Sequence, residues 1–163
     1  MSQTLRVDVW SDVVCPWCFI GKRRLEKALS TLDSTVTIEV NHRAFQLQPD
    51  AHEVVPTSKH LAEKYRVSPE QVEALQANVC SIADGEGLCY DLSQTLSGNT
   101  MDAHRLLLWA ASKGKQSALL ESMYSAYFEK QGSLFDAESL LALVSEAGLD
   151  RIEAEGVLNS NQF

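Results

Sequence analysis

The alternation of apolar and polar positions is sharpest near the start of the chain. Leu5, Val7 and Val9 alternate with Arg6 and Asp8 up to Trp10. That period of two marks a strand with one covered face. A short connection, residues 11–14, follows. Pro16 then suits the first turn of a helix, where a missing N–H costs nothing. The helix is expected to run to about Leu32, with Leu25, Ala28, Leu29 and Leu32 as its apolar stripe and Lys22, Arg23 and Arg24 on its solvated side. Val36, Ile38, Val40 and Ala44 alternate with Thr37, Glu39, Asn41 and Arg43, which predicts a second strand with His42 on its core side. A β-α-β opening predicts two parallel strands joined by a right-handed crossover.

Residues 46–57 carry Pro49 and Pro56 without a period and read as a loop. Beyond them the pattern is helical throughout. Residues 58–65 form a first helix. Ser68-Pro69-Glu70-Gln71 is a capping box with proline at the first helical position, and Val72, Leu75, Val79 and Ile82 continue that helix on one face until Gly85 and Gly87 stop it. Asn99 or Thr100 caps a helix through Lys113, and another runs from Gln116 to Lys130. Asp136 caps one that Gly148 ends, and Asp150 caps the last. Three regions follow from the pattern: residues 1–45, a β-α-β half; residues 46–57, a linker; and residues 58–163, a helical subdomain.

The length, 163 residues, allows one domain with a real core, and 45% apolar with 22% charged residues describes a soluble globular chain. The formal charge of −8 argues against phosphate-backbone binding and against anionic membranes. No basic-then-apolar leader opens the sequence, and no stretch approaches a membrane span. The expectation is therefore a cytoplasmic protein without nucleic-acid or membrane partners.

That compartment changes how the cysteines are read. Structural disulfides are rare in the cytoplasm, where a close Cys pair is more often catalytic or metal-binding. Cys15-Pro16-Trp17-Cys18 directly follows a strand and opens a helix. Cys15 is expected at the N-cap, where free N–H groups and the helix dipole stabilise a thiolate, the species that attacks a disulfide. Cys18 lies one turn on and would resolve the mixed disulfide from a shielded position. Pro16 fixes the turn, and Trp17 offers an apolar surface. Half of a zinc site is the competing reading, but Cys80 and Cys89 do not form the second close pair such a site needs, so no metal is expected.

The stretch Trp10-Ser-Asp-Val-Val-Cys-Pro-Trp-Cys-Phe-Ile-Gly-Lys22 resembles the active-site segment of the DsbA-like thioredoxin family, in particular its FrnE-type branch. Phe45-Gln-Leu-Gln-Pro49, Gly98-Asn-Thr-Met-Asp-Ala-His-Arg-Leu106, Ala126-Tyr-Phe128 and Gly148-Leu-Asp150 agree with it. The resemblance implies an α/β thioredoxin-like fold carrying a large helical insertion. It also implies an enzyme that exchanges a disulfide with protein or small-thiol partners. Its only redox group is the Cys15–Cys18 pair, with glutathione or another thiol as donor. Family members close with a β-β-α unit whose first strand begins at a cis-proline. The prolines here are Pro16, Pro49, Pro56 and Pro69, so that unit is expected to be absent, leaving a sheet edge open to self-association.

Other residues carry paired readings. Asp12 is a candidate to tune Cys15 or relay a proton, against an ordinary loop acid. Asn99 and Thr100 are helix caps first and His104 a satisfied core histidine; the resemblance makes all three candidates to line the cleft. Cys80, at the edge of its helix's apolar face, reads as a small apolar side chain and Cys89 as a turn residue, rather than the two as a second redox pair. Two other functions compete. One is a glutathione-using isomerase or transferase of the kappa-class or hydroxychromene-carboxylate type, whose members usually have Ser at the position of Cys15. The other is a truncated, non-catalytic thioredoxin-like module.

Overall fold

In the computed structural model, residues 3–32 and 36–163 are described. The N-terminal part is β1 (Gln3–Ser11), α1 (Pro16–Ser30) and β2 (Val36–Ala44). β1 and β2 pair in parallel along their whole length, Leu5 opposite Ile38 and Val7 opposite Val40. Both strands were legible from their period, and the parallel pairing from the intervening helix.

Residues 46–57 are not wholly loop. Val55–Pro56 forms β3, a two-residue strand antiparallel to β4 (Leu96–Ser97). Two residues are too few to carry a period. This small clip ties the entry of α2 (Thr57–Tyr65) to the segment ahead of α4 (Met101–Ser112), and the Thr57 N–H donates to the Thr95 carbonyl at 2.9 Å. Between them runs α3 (Pro69–Asp84). Its capping box is complete: the Gln71 side chain accepts from the Ser68 N–H at 2.9 Å, and the Ser68 hydroxyl accepts from the Gln71 N–H at 3.4 Å.

In the C-terminal part α4 packs on α5 (Gln116–Glu129) and α7 (Arg151–Leu158), and α6 (Ala137–Glu146) packs on the same two helices. Asp136 and Asp150 accept N3 amides at 2.8 Å each, as their positions predicted. Gly148 takes φ 73°, the left-handed conformation that ends α6. At α4 the capping is divided: Thr100 holds the N-cap position, while Asn99 Oδ1 accepts from the Met101 N–H at 2.8 Å.

The core lies among these helices. Leu106, Leu119, Leu120, Met123, Leu140 and Val144 are covered almost completely, and Phe19 and Ile20 from α1 join them. Two expectations for α1 are corrected here. Its predicted stripe is not its buried face, since Ala28 and Leu32 are exposed and Leu25 and Leu29 only half-buried. Lys22 is not on a solvated side. It is 8% exposed and donates to Glu121 on α5 at 2.7 Å and to Glu26, so its charge is paired where α1 meets the helical core. Arg23 also reaches Glu121, and only Arg24 keeps an exposed head, bonded to Glu86 at 2.7 Å.

The architecture is mixed α/β, with seven helices and four strands among the described residues, in a thioredoxin-like arrangement rich in helix. None of these helices is long and apolar enough to cross a membrane.

Candidate active site

Cys15 is the N-cap of α1, with Pro16 in the first helical position. The turn that brings it there closes through two backbone bonds: Cys15 N–H to the Asp12 carbonyl at 3.2 Å, and Cys18 N–H to the Cys15 carbonyl at 3.0 Å. Cys15 has no side-chain oxygen with which to cap, so its sulfur takes the place a capping oxygen would occupy, before the orphan N–H groups of the first turn.

The two sulfurs differ in environment. A hydrogen bond from the Cys18 thiol, assisted by the Cys18 and Trp17 amides, lowers the Cys15 thiol to about 7 against the pull of burial and of Asp12. Cys18 is driven the other way, by sharing its proton with Cys15 and by burial. Cys15 is therefore the thiol of the pair that ionises first, and Cys18 the one that keeps its proton. Cys15, Pro16 and Trp17 line an open cavity of about 590 Å³, whereas Cys18 is not among its lining residues and packs against the core.

Beneath the pair sits a buried polar cluster. Asp12 is 1% exposed; its Oδ2 accepts from the Leu47 N–H at 2.7 Å, and its Oδ1 lies 3.1 Å from His104 Nε2 on α4, which donates to it. Asp12 is thus no ordinary loop acid, and His104 is a core histidine with a partner. Tyr124 adds its hydroxyl to the Asp12 carbonyl at 3.5 Å. Tyr90 donates to the Pro16 carbonyl at 2.8 Å, which holds the first turn of α1 from the helical side. Phe19 stacks on Tyr124 with centroids 4.8 Å apart, and Tyr90 on Phe128 at the same distance.

Asn99 and Thr100 are not among the residues that line the cavity beside Cys15. Asn99 bridges Gln46 at 2.9 Å and the Pro49 carbonyl at 2.7 Å, and Thr100 is buried. His42 is half-buried on β2. Its backbone N–H and carbonyl are held by the Gln116 side chain at 3.2 and 3.0 Å. Cys80 is half-buried and Cys89 exposed, both free. Among the described residues no group of three or more His, Cys, Asp or Glu side chains is arranged to hold a metal.

Sequence reasoning missed the cavity's other walls. His60, Lys64 and Leu75 from α2 and α3, and Tyr127 from α5, come to it from distant parts of the chain. Inside it, Thr57 and Tyr127 hydroxyls lie 3.4 Å apart, and Ser97 donates to Thr57 at 3.2 Å. Two wall segments were marked by the resemblance, both without a role: Phe45–Pro49, which supplies Leu47 and Gln48, and Ala126–Phe128, which supplies Tyr127 and Phe128.

Comparison with known proteins places this arrangement. The probable DsbA oxidoreductase SCO1869 from Streptomyces coelicolor superposes with a TM-score of 0.90 at 41% identity, over 95% of this chain and 68% of its own. A 2-hydroxychromene-2-carboxylate isomerase shares the fold at a TM-score of 0.67 and 20% identity, over 96% of this chain and 72% of its own. YwbO of Bacillus subtilis (strain 168) is 23% identical over 161 residues, 98% of this chain and 74% of that protein. Residues 6–163 match the family model for a DSBA-like thioredoxin domain, and the chain belongs to the DsbA-like thioredoxin family.

Proposed function

We propose that this protein is a thiol–disulfide oxidoreductase or isomerase in which Cys15 attacks and Cys18 resolves. One observation carries the reading: Cys15 lies at a helix N-cap, open to a cavity and lowered to about 7, while Cys18, off the cavity wall, is raised and keeps its proton. The Cys15 thiolate attacks one sulfur of a substrate disulfide, forming a mixed disulfide and expelling the other half as thiolate. Cys18 then loses its proton and attacks the Cys15 sulfur. The second half leaves, and two electrons have passed from the dithiol to the substrate. The substrates are protein or small-thiol disulfides, and glutathione or another thiol restores the dithiol. No other cofactor and no metal enters the reading. The proposed setting is a reducing cytoplasm, where the pair rests as a dithiol.

The intact pair favours this over a glutathione-using isomerase, which needs no resolving thiol. It also favours it over a non-catalytic module, for which a polarised cysteine pair has no use. The test is alkylation of the reduced protein across pH. The Cys15 rate should rise about tenfold per pH unit in acid and level off near 7, while Cys80, whose thiol burial pushes up, lags to higher pH. Cys15→Ser should abolish exchange and Cys18→Ser should trap mixed disulfides. Parallel alkylation of Cys15 and Cys80 at every pH would refute the assignment.

A further inference from the structure

The lining of the cavity beside Cys15 departs from the acidic composition of the chain. The chain carries 22 Asp and Glu against 14 Lys and Arg. Yet none of the residues that line the cavity is acidic. Its body is apolar, formed by Leu61, Leu75, Val79, Leu92 and Phe128. Its one permanent cation is Lys64, which has no ion-pair partner among the described residues and whose ammonium sits 5.6 Å from the Tyr65 ring centre. His60, one helical turn earlier, is held towards its neutral form by burial and by Lys64 itself. At about 590 Å³ the space falls in the range of pockets that take small organic ligands.

We infer that the cavity selects a small disulfide whose reacting half joins an apolar body to an anionic group, the body lying between α2 and α3 and the anion meeting Lys64. The inference rests on the exchange chemistry proposed above and names its substrate class. An apolar body displaces water from the walls, which supplies non-directional affinity. The anion finds a cation without a competing carboxylate, in a protein whose net charge of −8 would otherwise repel it. The sulfur is then delivered to Cys15 at the end of the cavity. Attack forms the Cys15–substrate disulfide and releases the other half as thiolate. Cys18 closes the Cys15–Cys18 disulfide and releases the bound half, which takes up a proton.

The test uses the full chain with Cys80→Ser and Cys89→Ser, reduced beforehand, so that only the pair reports. Single-turnover rates are measured with dithiobis(nitrobenzoate), which is aromatic and anionic; with dithiodipyridine, aromatic and neutral; with bis(hydroxyethyl) disulfide, small and neutral; and with insulin. Each small-molecule rate is divided by that of the same disulfide with free mercaptoethanol, and insulin is treated alike, which removes intrinsic reactivity. The normalised order should be anionic aromatic, neutral aromatic, then the other two. Lys64→Gln should cut the anionic-over-neutral preference by about fivefold, the size of one partly exposed charge pair, and Lys64→Arg should restore it. Leu75→Trp, at an exposed position, should lower both aromatic rates and spare the hydroxyethyl one. Circular dichroism verifies that each variant is folded. Equal normalised rates, a leading rate with insulin, or an anionic preference untouched by Lys64→Gln would overturn the inference and leave the exchange reading standing. Failure of every disulfide to react would overturn both.

Discussion

In α5 and α6 the side chains of Leu119, Leu120, Met123 and Leu140 are almost wholly covered, whereas the β1–β2 pair leaves Leu5 45% and Trp10 64% exposed. The helical region is a core in the ordinary sense. The sheet region is a ladder of backbone hydrogen bonds with half-buried side chains above it. α1 bridges the two, and it is fastened at one end. Phe19, Ile20 and Lys22 in its first turns are buried against helices, while Ala28 and Leu32 towards its far end are exposed. The helix that begins at Cys15 springs from a strand, but side chains that fix its N-terminus come from elsewhere: His104 from α4, Tyr124 from α5, and Tyr90. The geometry of Cys15 is therefore held from the helical region together with the turn after β1, where the Asp12 carbonyl accepts from the Cys15 N–H and the Leu47 amide holds the Asp12 side chain.

The largest test of this contrast is stability. Leu120→Ala should lower the unfolding free energy by about 2–5 kcal/mol, because it empties a fully enclosed site. Leu5→Ala should cost about 1 kcal/mol or less, because nearly half of that side chain already meets water. Urea unfolding of both variants measures the difference. Equal losses would mean that the strands contribute to the core as fully as the helices do.

The contrast also explains what could be read from the chain. Local signals were legible: the period of β1 and β2, the caps at Ser68, Asp136 and Asp150, and the strand–Cys-x-x-Cys–helix junction all lie within a few consecutive residues. What escaped depends on contacts between distant segments. Nothing around Lys22 distinguishes it from Arg24, because its burial is imposed by Glu121, and the pairing of Asp12 with His104 spans 92 positions. The α1 stripe misled because an apolar stripe reports a face suited to burial, while burial itself needs a partner surface, and the packed helices meet only the first turns. The cavity was invisible for the same reason: its walls come from segments whose own periods say only that they are helices.

A smaller effect separates the two roles of the buried acid. Asp12→Asn replaces one carboxylate acceptor with an N–H donor facing either the Leu47 amide or the His104 ring, so one buried group loses its partner. The expected cost is about 1–3 kcal/mol. The same change removes a charge that raises the Cys15 thiol. Cys15 should therefore ionise at lower pH in the variant, and its alkylation should level off below the wild-type value of about 7. Unfolding and alkylation profiles on one preparation measure both. A stability loss with an unmoved thiol profile would confine Asp12 to a structural part.

The smallest expected effect lies where α1 meets α5. Burial pushes the Glu121 carboxyl up, but the hydrogen bonds from Arg23 and Lys22 outweigh it and hold it below its ordinary value of 4.5. A carboxylate with a lowered folded pKa stabilises the fold above the unfolded value, and that contribution is lost as pH falls through the folded value. Glu121→Gln keeps the shape and removes the charge. At neutral pH it should cost about 1 kcal/mol, the scale of a partly exposed ion pair, since more than a third of the Glu121 side chain remains accessible. As the pH is lowered below 4.5 the wild type loses the same interaction, so the two melting curves should converge. Thermal unfolding of both proteins from neutral to acid pH measures the gap. A gap of constant size would show that Glu121 acts by shape and hydrogen bonding alone. A gap that closes would show that charge, in addition to Phe19 and Ile20, fastens α1 to the helical core.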